Sequence, residues 1–262
     1  MDEIDKLIEV VRKLRDPNSG CPWDIKQTSK SIAKYTIEEA YEVVDAIENG
    51  DNDDLCEELG DLLLQVVFHS LIAEEVGDFD FNDVARNNAE KMIRRHPHVF
   101  HQDLKKSKIS IDRIKTNWES IKEEERKKLN DNSALAGIAK ALPSLKRAEK
   151  LGKRAGVVGF DWQNFKGARN KIEEEISELD EAISEMSHKK MEEELGDLLF
   201  SVVNLARHLA IDPEKALSIS SKKFEKRFRN MEEKILENGK DINKMDSVDL
   251  EDLWQQSKKI IG

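Results

Sequence analysis

The feature that most constrains the fold of this chain is an internal repeat. Residues 57–67 read EELGDLLLQVV and residues 193–203 read EELGDLLFSVV, so the two segments agree at nine of eleven positions with an offset of 136. At the same offset, three glutamates upstream of the first segment correspond to three upstream of the second: Glu38, Glu39 and Glu42 to Glu174, Glu175 and Glu178. A repeat of this length is the signature of a duplicated structural unit. The chain is therefore predicted to contain two copies of one unit.

Tryptophans and a polar stretch suggest where the two copies begin and end. A turn bearing Trp23 or Trp162 precedes each repeated segment, and Trp118 or Trp254 follows it. Residues 130–133 read NDNS, a composition typical of a loop between periodic segments. We predict an N-terminal unit at residues 1–129 and a C-terminal unit at residues 130–262.

Both copies show the spacing of amphipathic helices. Apolar residues recur every three or four positions along each copy: Ile37, Tyr41, Val44, Ile47, Leu55, Leu59, Leu62 and Val66 in the first, and Ile172, Ile176, Leu179 and Ile183 in the second. Gly50 followed by Asp51 predicts that one helix stops and the next begins, and Ser187 marks the same point less clearly in the second copy. Alternating strand patterns are absent. We predict an all-α fold of two helical bundles, each built on an antiparallel helical hairpin.

Composition narrows the classes of partner. The net charge of −11 argues against nucleic-acid binding, which needs a basic surface, although divalent cations can join an acidic protein to a polyphosphate. Two cysteines without a CxxC motif indicate neither a disulfide framework nor a zinc site. The acidic N-terminus is no signal peptide, and the apolar runs are too short to span a bilayer. We expect a soluble, cytoplasmic protein without nucleic-acid or membrane partners.

Each predicted hairpin would bring four carboxylates together. Residues equidistant from the turn of an antiparallel hairpin face each other, and residues three apart on a helix share a face. The equidistant pairs lie eight and eleven residues from Gly50 or from Met186: Glu42 with Glu58, Glu39 with Asp61, Glu178 with Glu194, and Glu175 with Asp197. These positions border the apolar stripes, so we expect them beside the core. The geometry predicts one acidic patch on each hairpin.

Four carboxylates in one patch repel each other and lose hydration, which is costly unless a cation neutralises them. Oxygen-only ligands favour Mg²⁺, with Mn²⁺ as a substitute. A solvated helix face is the bland explanation of one such motif, and a capping box from Thr36 could explain Glu39. Neither alternative explains Glu42, Glu58 or Asp61. We therefore favour metal binding.

The motifs resemble those of MazG-type nucleoside triphosphate pyrophosphohydrolases. The resemblance covers nearly the whole chain and includes E-E-x-x-E followed by E-x-x-D in both copies, GCPWDIKQT, RRHPHVF and VGFDW. It implies an all-α homodimer that hydrolyses NTP to NMP and pyrophosphate by Mg²⁺-dependent water attack on the α-phosphorus. It also implies broad specificity, serving the sanitising or control of nucleotide pools. The implied metal ligands are Glu175, Glu178, Glu194 and Asp197, matched by Glu39, Glu42, Glu58 and Asp61. Glu174 and Glu193 would orient the attacking water.

Direct cationic contacts to a triphosphate are predicted mainly in the second copy. Lys171 and Lys190 lie one turn from its carboxylates, where the first copy has Tyr35 and Asp54. Both copies keep a basic turn downstream: Lys223, Lys226 and Arg227 in the second, Lys91, Arg94 and Arg95 in the first. Trp254 could stack on a base. We predict that the C-terminal site is the main catalytic site and that the N-terminal site is weaker, differently specific or mainly structural.

Other interpretations stay open at this point. A di-iron bundle is disfavoured because it normally needs Glu-x-x-His motifs, and neither His69 nor His208 lies three residues after one of these glutamates. The chain could instead be a helical interaction protein that regulates a partner protein through its dimer surface. Hydrolysis could also be restricted to dUTP, dCTP or a phosphoribosyl-nucleotide. We interpret His96-Pro97-His98 as a structural or phosphate-contacting turn rather than a metal site.

Overall fold

The computed structural model describes residues 2–100, 131 and 133–262, together with residues 110, 113–114, 117–118, 120–121 and 124–125. The predicted all-α fold is confirmed, and no strand occurs among the residues described. The chain divides into two compact units, residues 1–122 and 123–262. Part of the predicted linker, Asn130 and Asn132, lies outside the described residues, so the boundary between residues 129 and 130 stays a prediction.

The N-terminal unit is built around a helical hairpin. Its helices are α1 (Glu3–Leu14), α2 (Pro22–Ile25), α3 (Ser29–Asn49), α4 (Asn52–Glu75), α5 (Phe81–Arg95) and α6 (Pro97–Phe100). Helices α3 and α4 form the hairpin and make the largest contact within the unit, while α1 and α5 pack on α4. This arrangement places the repeated segment 57–67 in the middle of α4.

The C-terminal unit repeats this plan. Its helices are α7 (Ser144–Val157), α8 (Phe165–Ser184), α9 (His188–His208), α10 (Pro213–Glu237) and α11 (Ser247–Ile261), with a short 3-10 helix at Ile242–Lys244. Helices α8 and α9 form the hairpin, α7 packs on both α9 and α10, and α11 packs on α10. The second repeated segment lies within α9.

Both predicted hairpin turns are confirmed. Gly50 ends α3 in the left-handed conformation at φ 75°, where glycine avoids the strain of a Cβ. The Asp51 side chain then accepts hydrogen bonds from the backbone N–H groups of Asp53 and Asp54 and caps α4. In the second hairpin Met186 takes the left-handed conformation at φ 53°, and Ser187 precedes α9 without a side-chain capping bond.

The capping-box explanation of Glu39 is wrong. Helix α3 begins seven residues before Thr36, because Thr28 and Ser31 form the capping box. Thr36 lies inside the helix, and its Oγ1 is 3.1 Å from Nε2 of His69 on α4. Glu39 is therefore free of any role at the start of the helix.

Parts of the apolar stripes predicted to lie beside a core are half exposed within one chain. The core of the N-terminal unit lies on another face, where α1 packs on α3 and α4: Val11, Ile32, Val67, Phe68 and Leu71. By contrast, Ile37, Tyr41 and Ile47 are 49, 54 and 58% exposed. Ile176 and Ile183 of the second hairpin are 45 and 52% exposed. The spacing correctly identified helices, but it did not identify what covers them.

Within the described residues, we find no helix that is both long enough and apolar enough to cross a bilayer.

Candidate metal and nucleotide site

The N-terminal hairpin gathers its predicted carboxylates as the mirror symmetry requires. Oxygen atoms of Glu39, Glu42 and Glu58 all lie within 4.8 Å of one another. Asp61, the fourth predicted member, is close enough for its charge to raise the pKa of Glu39. Three of these residues border the hairpin interior, and Glu42 is exposed. The four define what we call the N-terminal cluster.

Among the described residues, no basic side chain forms an ion pair with the N-terminal cluster, so the repulsion between its carboxylates persists. Desolvation raises the pKa of Glu39, and a hydrogen bond with Glu42 and the charge of Asp61 raise it further. The pKa of Glu58 is raised by desolvation and by the charges of Glu42 and Asp61. The one neighbouring donor described at Glu39 is neutral, since Gln65 Nε2 donates to its Oε1 at 3.3 Å. A cation would therefore be favoured here.

The C-terminal hairpin gathers the matching carboxylates. Oxygen atoms of Glu175, Glu194 and Asp197 lie within 4.8 Å of one another, and Glu178 shares a hydrogen bond with Glu175. These four residues define the C-terminal cluster. Glu175 is only 4% exposed, and a carboxylate buried to that degree needs a charged or hydrogen-bonding partner.

Lys171 is that partner. Its Nζ lies 2.6 Å from Glu174 Oε1, 2.8 Å from Glu175 Oε1 and 3.8 Å from Glu178 Oε2. The hydrogen bonds to Glu174 and Glu175 raise the pKa of Lys171. The Lys171 charge lowers the pKa of Glu178, but desolvation and the hydrogen bond with Glu175 outweigh it and leave that pKa raised. The cation predicted to contact phosphate thus contacts the cluster itself.

The other predicted residues near the C-terminal cluster are Glu174, Glu193 and Lys190, and each contacts a side chain of opposite charge. Glu174 and Glu193 are both exposed, and Glu193 lies 3.7 Å from the Lys189 ammonium. Lys190 bonds Glu185 at 2.6 Å and makes no hydrogen bond to the cluster in the described contacts. A phosphate would therefore compete with Glu185 for the Lys190 ammonium.

The predicted nucleotide contacts on α10 and α11 are Lys223, Lys226, Arg227 and Trp254. Lys223 and Lys226 are exposed, and we find no ion pair between these lysines and a carboxylate of either cluster in the described chain. Arg227 is half-buried, and its Nε has no hydrogen-bond partner among the residues that the structure describes. The Trp254 ring packs on Phe224 with centroids 5.1 Å apart. Their role in nucleotide binding stays a prediction.

The turn at His96-Pro97-His98 packs against its own helix. His96 ends α5, and its Nδ1 lies 2.8 Å from the backbone oxygen of Met92. Its ring centroid lies 5.8 Å from that of His98 and 5.6 Å from that of Trp118. These contacts fit the structural interpretation of the turn.

An ion-pair network that the sequence did not reveal holds the open end of the C-terminal hairpin. Arg207, near the end of α9, donates to both carboxylate oxygens of Asp161 at 2.6 and 2.7 Å. His208 Nε2 lies 2.9 Å from Asp161 Oδ1. The hydrogen bonds from Arg207 lower the pKa of Asp161 to about 2. In the motif GFDW the sequence pointed only to Trp162, but Asp161 of the same motif joins the turn before α8 to α9.

The chemistry of both donor sets fits a hard divalent cation. Each cluster offers carboxylate oxygens alone, which suits Mg²⁺ and Mn²⁺ better than softer metals. Desolvation and neighbouring carboxyl groups raise the pKa values of Glu39, Glu58 and Glu178, as expected for carboxylates that a bound cation would stabilise. The clusters could therefore hold a metal ion, and through it a polyphosphate.

Comparison with known proteins places this geometry in a family. The family model for the MazG nucleotide pyrophosphohydrolase domain matches twice, at residues 27–100 and 163–231. Each match includes one hairpin and all four of its clustered carboxylates.

Relatives match along the full length. The nucleoside triphosphate pyrophosphohydrolase of Escherichia coli strain K12 is 46% identical, covering 99% of this chain and 98% of its own length. The nucleoside triphosphate pyrophosphohydrolase/pyrophosphatase MazG of Thermotoga maritima is 44% identical, covering 97 and 95%. A crystal structure of a mazG-related protein from Thermotoga maritima is 27% identical, with a TM-score of 0.38 over 45% of this chain and 98% of that chain. The chain therefore belongs to the MazG family of nucleotide pyrophosphohydrolases, which are hydrolases, and carries one domain of that family in each half.

Proposed function

We propose that this chain hydrolyses nucleoside triphosphates to nucleoside monophosphates and pyrophosphate in a Mg²⁺-dependent reaction, mainly at the C-terminal cluster. The observation that carries this proposal is the C-terminal hairpin itself. Three carboxylates lie within 4.8 Å of one another there, and a lysine ammonium lies 2.8 Å from the most buried of them. Both relatives described above are named for this reaction.

Each predicted site residue would have a role that follows from its position. Glu175, Glu178, Glu194 and Asp197 would hold Mg²⁺, or Mn²⁺ in its place. The bound ion would neutralise charge on the phosphates and make the α-phosphorus a better electrophile. Lys171 and Lys190 would contact phosphate oxygens once the nucleotide arrives. Lys223, Lys226 and Arg227 would add positive charge, and Trp254 would stack on the base.

The bond changes follow from the products. A water oxygen attacks the α-phosphorus, and the bond from that phosphorus to the α–β bridging oxygen breaks. Pyrophosphate carries away the bridging oxygen, and the proton of the water passes to a carboxylate. Glu174 and Glu193 are candidates to orient the water, because both are exposed beside the cluster. The products are then the monophosphate and pyrophosphate.

We also propose a homodimer. Apolar side chains of α3 and α4 are half exposed next to the N-terminal cluster: Ile37, Tyr41, Val44, Ile47 and Leu59. Ile176, Leu195 and Leu199 repeat this feature beside the C-terminal cluster at 45 to 50% exposure. Apolar patches of this kind usually mark association surfaces. A second copy covering them would also enclose the clusters and exclude water.

Product analysis tests the activity. The purified chain is incubated with Mg²⁺ and a panel containing ATP, the other canonical nucleotides, dUTP, dCTP and modified triphosphates. Monophosphate and pyrophosphate are the expected products, across several bases if specificity is broad. Diphosphate and phosphate would contradict the proposed bond cleavage. A well-folded chain inert toward the whole panel would favour a regulatory interaction protein instead.

Light scattering coupled to size exclusion tests the association. We expect twice the mass of one chain, and Tyr41→Glu with Ile176→Glu should lower it. A wild-type mass of one chain would contradict the homodimer.

A further inference from the structure

The C-terminal cluster already contains a cation of its own. The Lys171 ammonium contacts Glu174, Glu175 and Glu178 at 2.6, 2.8 and 3.8 Å. Its side chain is 32% exposed, while that of Glu175 is 5% exposed. A carboxylate removed from water to this extent would be strongly destabilised without a positive partner. Lys171 therefore stabilises the apo form of this cluster.

The N-terminal hairpin has no charged side chain at the position equivalent to Lys171. Tyr35 occupies the position of Lys171 on α3, and its ring packs 6.1 Å from that of Trp23. The donor described at Glu39 is the neutral amide of Gln65. The two clusters thus have the same carboxylates but different neighbours. The ammonium of Lys171 compensates negative charge in the C-terminal cluster, whereas the donor described in the N-terminal cluster is uncharged.

A tethered ammonium and a divalent cation compete for the same oxygens. A metal ion bound by Glu175 and Glu178 would replace Lys171 at those carboxylates and would repel its charge. The displaced ammonium needs new acceptors, and the triphosphate of a nucleotide supplies them within reach of the same site. Bound nucleotide would accept the ammonium that the metal displaces, and bound metal would release the ammonium that the nucleotide needs. Each ligand would therefore make the binding of the other more favourable.

We propose that Lys171 is an internal counter-ion that makes metal uptake at the C-terminal cluster depend on nucleotide. This inference rests on the proposed function and extends it to the order of assembly. Without nucleotide, Lys171 holds the cluster together and disfavours free metal. With nucleotide, it transfers from Glu175 to a phosphate oxygen. By thermodynamic linkage, nucleotide and metal then raise each other's affinity by the same factor.

The role differs measurably from that of an ordinary phosphate contact. A lysine that only contacts phosphate would, when removed, weaken nucleotide binding and leave the affinity for free metal unchanged. A counter-ion that competes with metal would, when removed, strengthen the binding of free metal. The affinity of Mn²⁺ without nucleotide therefore separates the two roles.

The experiment uses the full chain with the N-terminal cluster disabled by Glu42→Gln and Glu58→Gln. Mn²⁺ is titrated and followed by electron paramagnetic resonance, alone and with α,β-methylene-ATP, whose α–β linkage resists hydrolysis. In this background Lys171→Met should bind Mn²⁺ alone about tenfold more tightly, within the usual range of coupling between two ligands. The nucleotide should then raise Mn²⁺ affinity less than it does without the Met substitution. Lys171→Arg keeps the charge and should resemble the parent.

The reciprocal variant provides a second test. Tyr35→Lys, with the C-terminal cluster disabled by Glu178→Gln and Glu194→Gln, should weaken Mn²⁺ binding at the N-terminal cluster. Unchanged or weaker Mn²⁺ binding by a folded Lys171→Met protein would overturn the counter-ion role while leaving the proposed hydrolysis intact. A parent that binds no Mn²⁺ with or without nucleotide, and releases no pyrophosphate, would overturn the proposed function as well.

Discussion

The two hairpins of this chain carry the same carboxylates in the same mirrored positions, yet they differ in what surrounds them. The N-terminal cluster has a neutral amide at Glu39 and two carboxyl groups with raised pKa values. In the C-terminal cluster, an ammonium 2.8 Å away compensates the charge of buried Glu175. Duplication preserved the acidic ligands, while the neighbouring positions diverged. The two sites therefore differ in how the negative charge of their carboxylates is compensated, and not in the ligand set.

The difference extends to the hairpin interior. Thr36 hydrogen-bonds His69 across the N-terminal hairpin at 3.1 Å, where the C-terminal hairpin has Ile172 and Leu205 at the same offset. Desolvation lowers the pKa of His69, so the imidazole is predominantly neutral near pH 7. The C-terminal hairpin is instead fastened at its open end by Asp161 and Arg207. The two copies therefore share a backbone plan and differ in their polar contacts.

The largest expected effect is on catalysis. Glu178→Ala or Asp197→Ala should reduce kcat/KM by at least about a hundredfold, because loss of even a supporting residue of a metal site often costs 10–100-fold. Glu42→Ala and Asp61→Ala are the matched controls and should leave most of the activity. Steady-state pyrophosphate release measures both sets. A greater loss from the N-terminal variants would reverse the assignment of the main site.

The next effect concerns the stability of the C-terminal unit in acid. The pKa of Asp161 is about 2 when folded, against an ordinary value of 3.8. A lowered carboxyl pKa contributes stability that is present above the unfolded value and is lost as the pH falls toward the folded value. Asp161→Asn should therefore reduce the free energy of unfolding by about 2 kcal/mol at neutral pH and by little near pH 2.

Urea unfolding at several pH values measures this contribution, and Asp78→Asn is the control because Asp78 is exposed. An Asp161→Asn deficit that is equally large at pH 7 and pH 2 would contradict the ionic origin of the contribution.

A smaller effect of opposite sign is expected in the N-terminal cluster. Because the folded state raises the pKa of Glu39, ionisation of that carboxyl costs folded stability. This loss of folded stability is absent below the ordinary pKa of 4.5. It grows as the pH rises above 4.5 and is complete once the pH exceeds the pKa of Glu39 in the folded state. Glu39→Gln should thus raise the thermal midpoint of the metal-free protein at pH 7 and have no effect at pH 4. Added Mg²⁺ should stabilise the parent more than this variant.

Calorimetry in the presence of a chelator, and then with Mg²⁺, provides the measurement. A lower midpoint for Glu39→Gln in chelator would show that the negative charge at Glu39 is compensated without metal.

The smallest effect is expected from replacing the hydrogen-bonded pair Thr36 and His69 of the N-terminal hairpin by an apolar pair. Thr36→Ile with His69→Leu gives the N-terminal hairpin the pair found at the equivalent C-terminal positions. Replacing both partners of a hydrogen bond by apolar groups can be nearly neutral, so the free energy of unfolding should change by less than about 1 kcal/mol. Either single substitution should be worse than the double, since it leaves one polar group unpaired. A double variant less stable than both singles would refute this interpretation.

The hairpins and their clusters were predictable because they depend on local signals. Gly50 and Asp51 mark a turn by their own chemistry, and the mirror relation then fixes which carboxylates meet. The contacts of Lys171 were only half predicted: its position one turn from the acids was clear. A flexible side chain can point toward the cluster or toward solvent, and helix spacing alone does not choose between them.

Long-range contacts and surfaces between chains were not predictable. Asp161 and Arg207 lie 46 residues apart, and nothing in either local sequence announces the pairing. The stripe containing Ile37, Tyr41 and Ile47 was identified as apolar, but periodicity does not specify whether the same chain or a second copy covers it. The core around Val11 and Phe68 depends on how α1 packs against the hairpin.

The most direct test of the account is anomalous diffraction from crystals grown with Mn²⁺ and α,β-methylene-ATP. We expect a Mn²⁺ peak between α8 and α9 within bonding distance of Glu175, Glu194 and Asp197, with Lys171 against a phosphate oxygen. Nucleotide bound in the C-terminal hairpin without Mn²⁺ at these carboxylates would contradict this expectation, whether or not the N-terminal cluster also holds the ion.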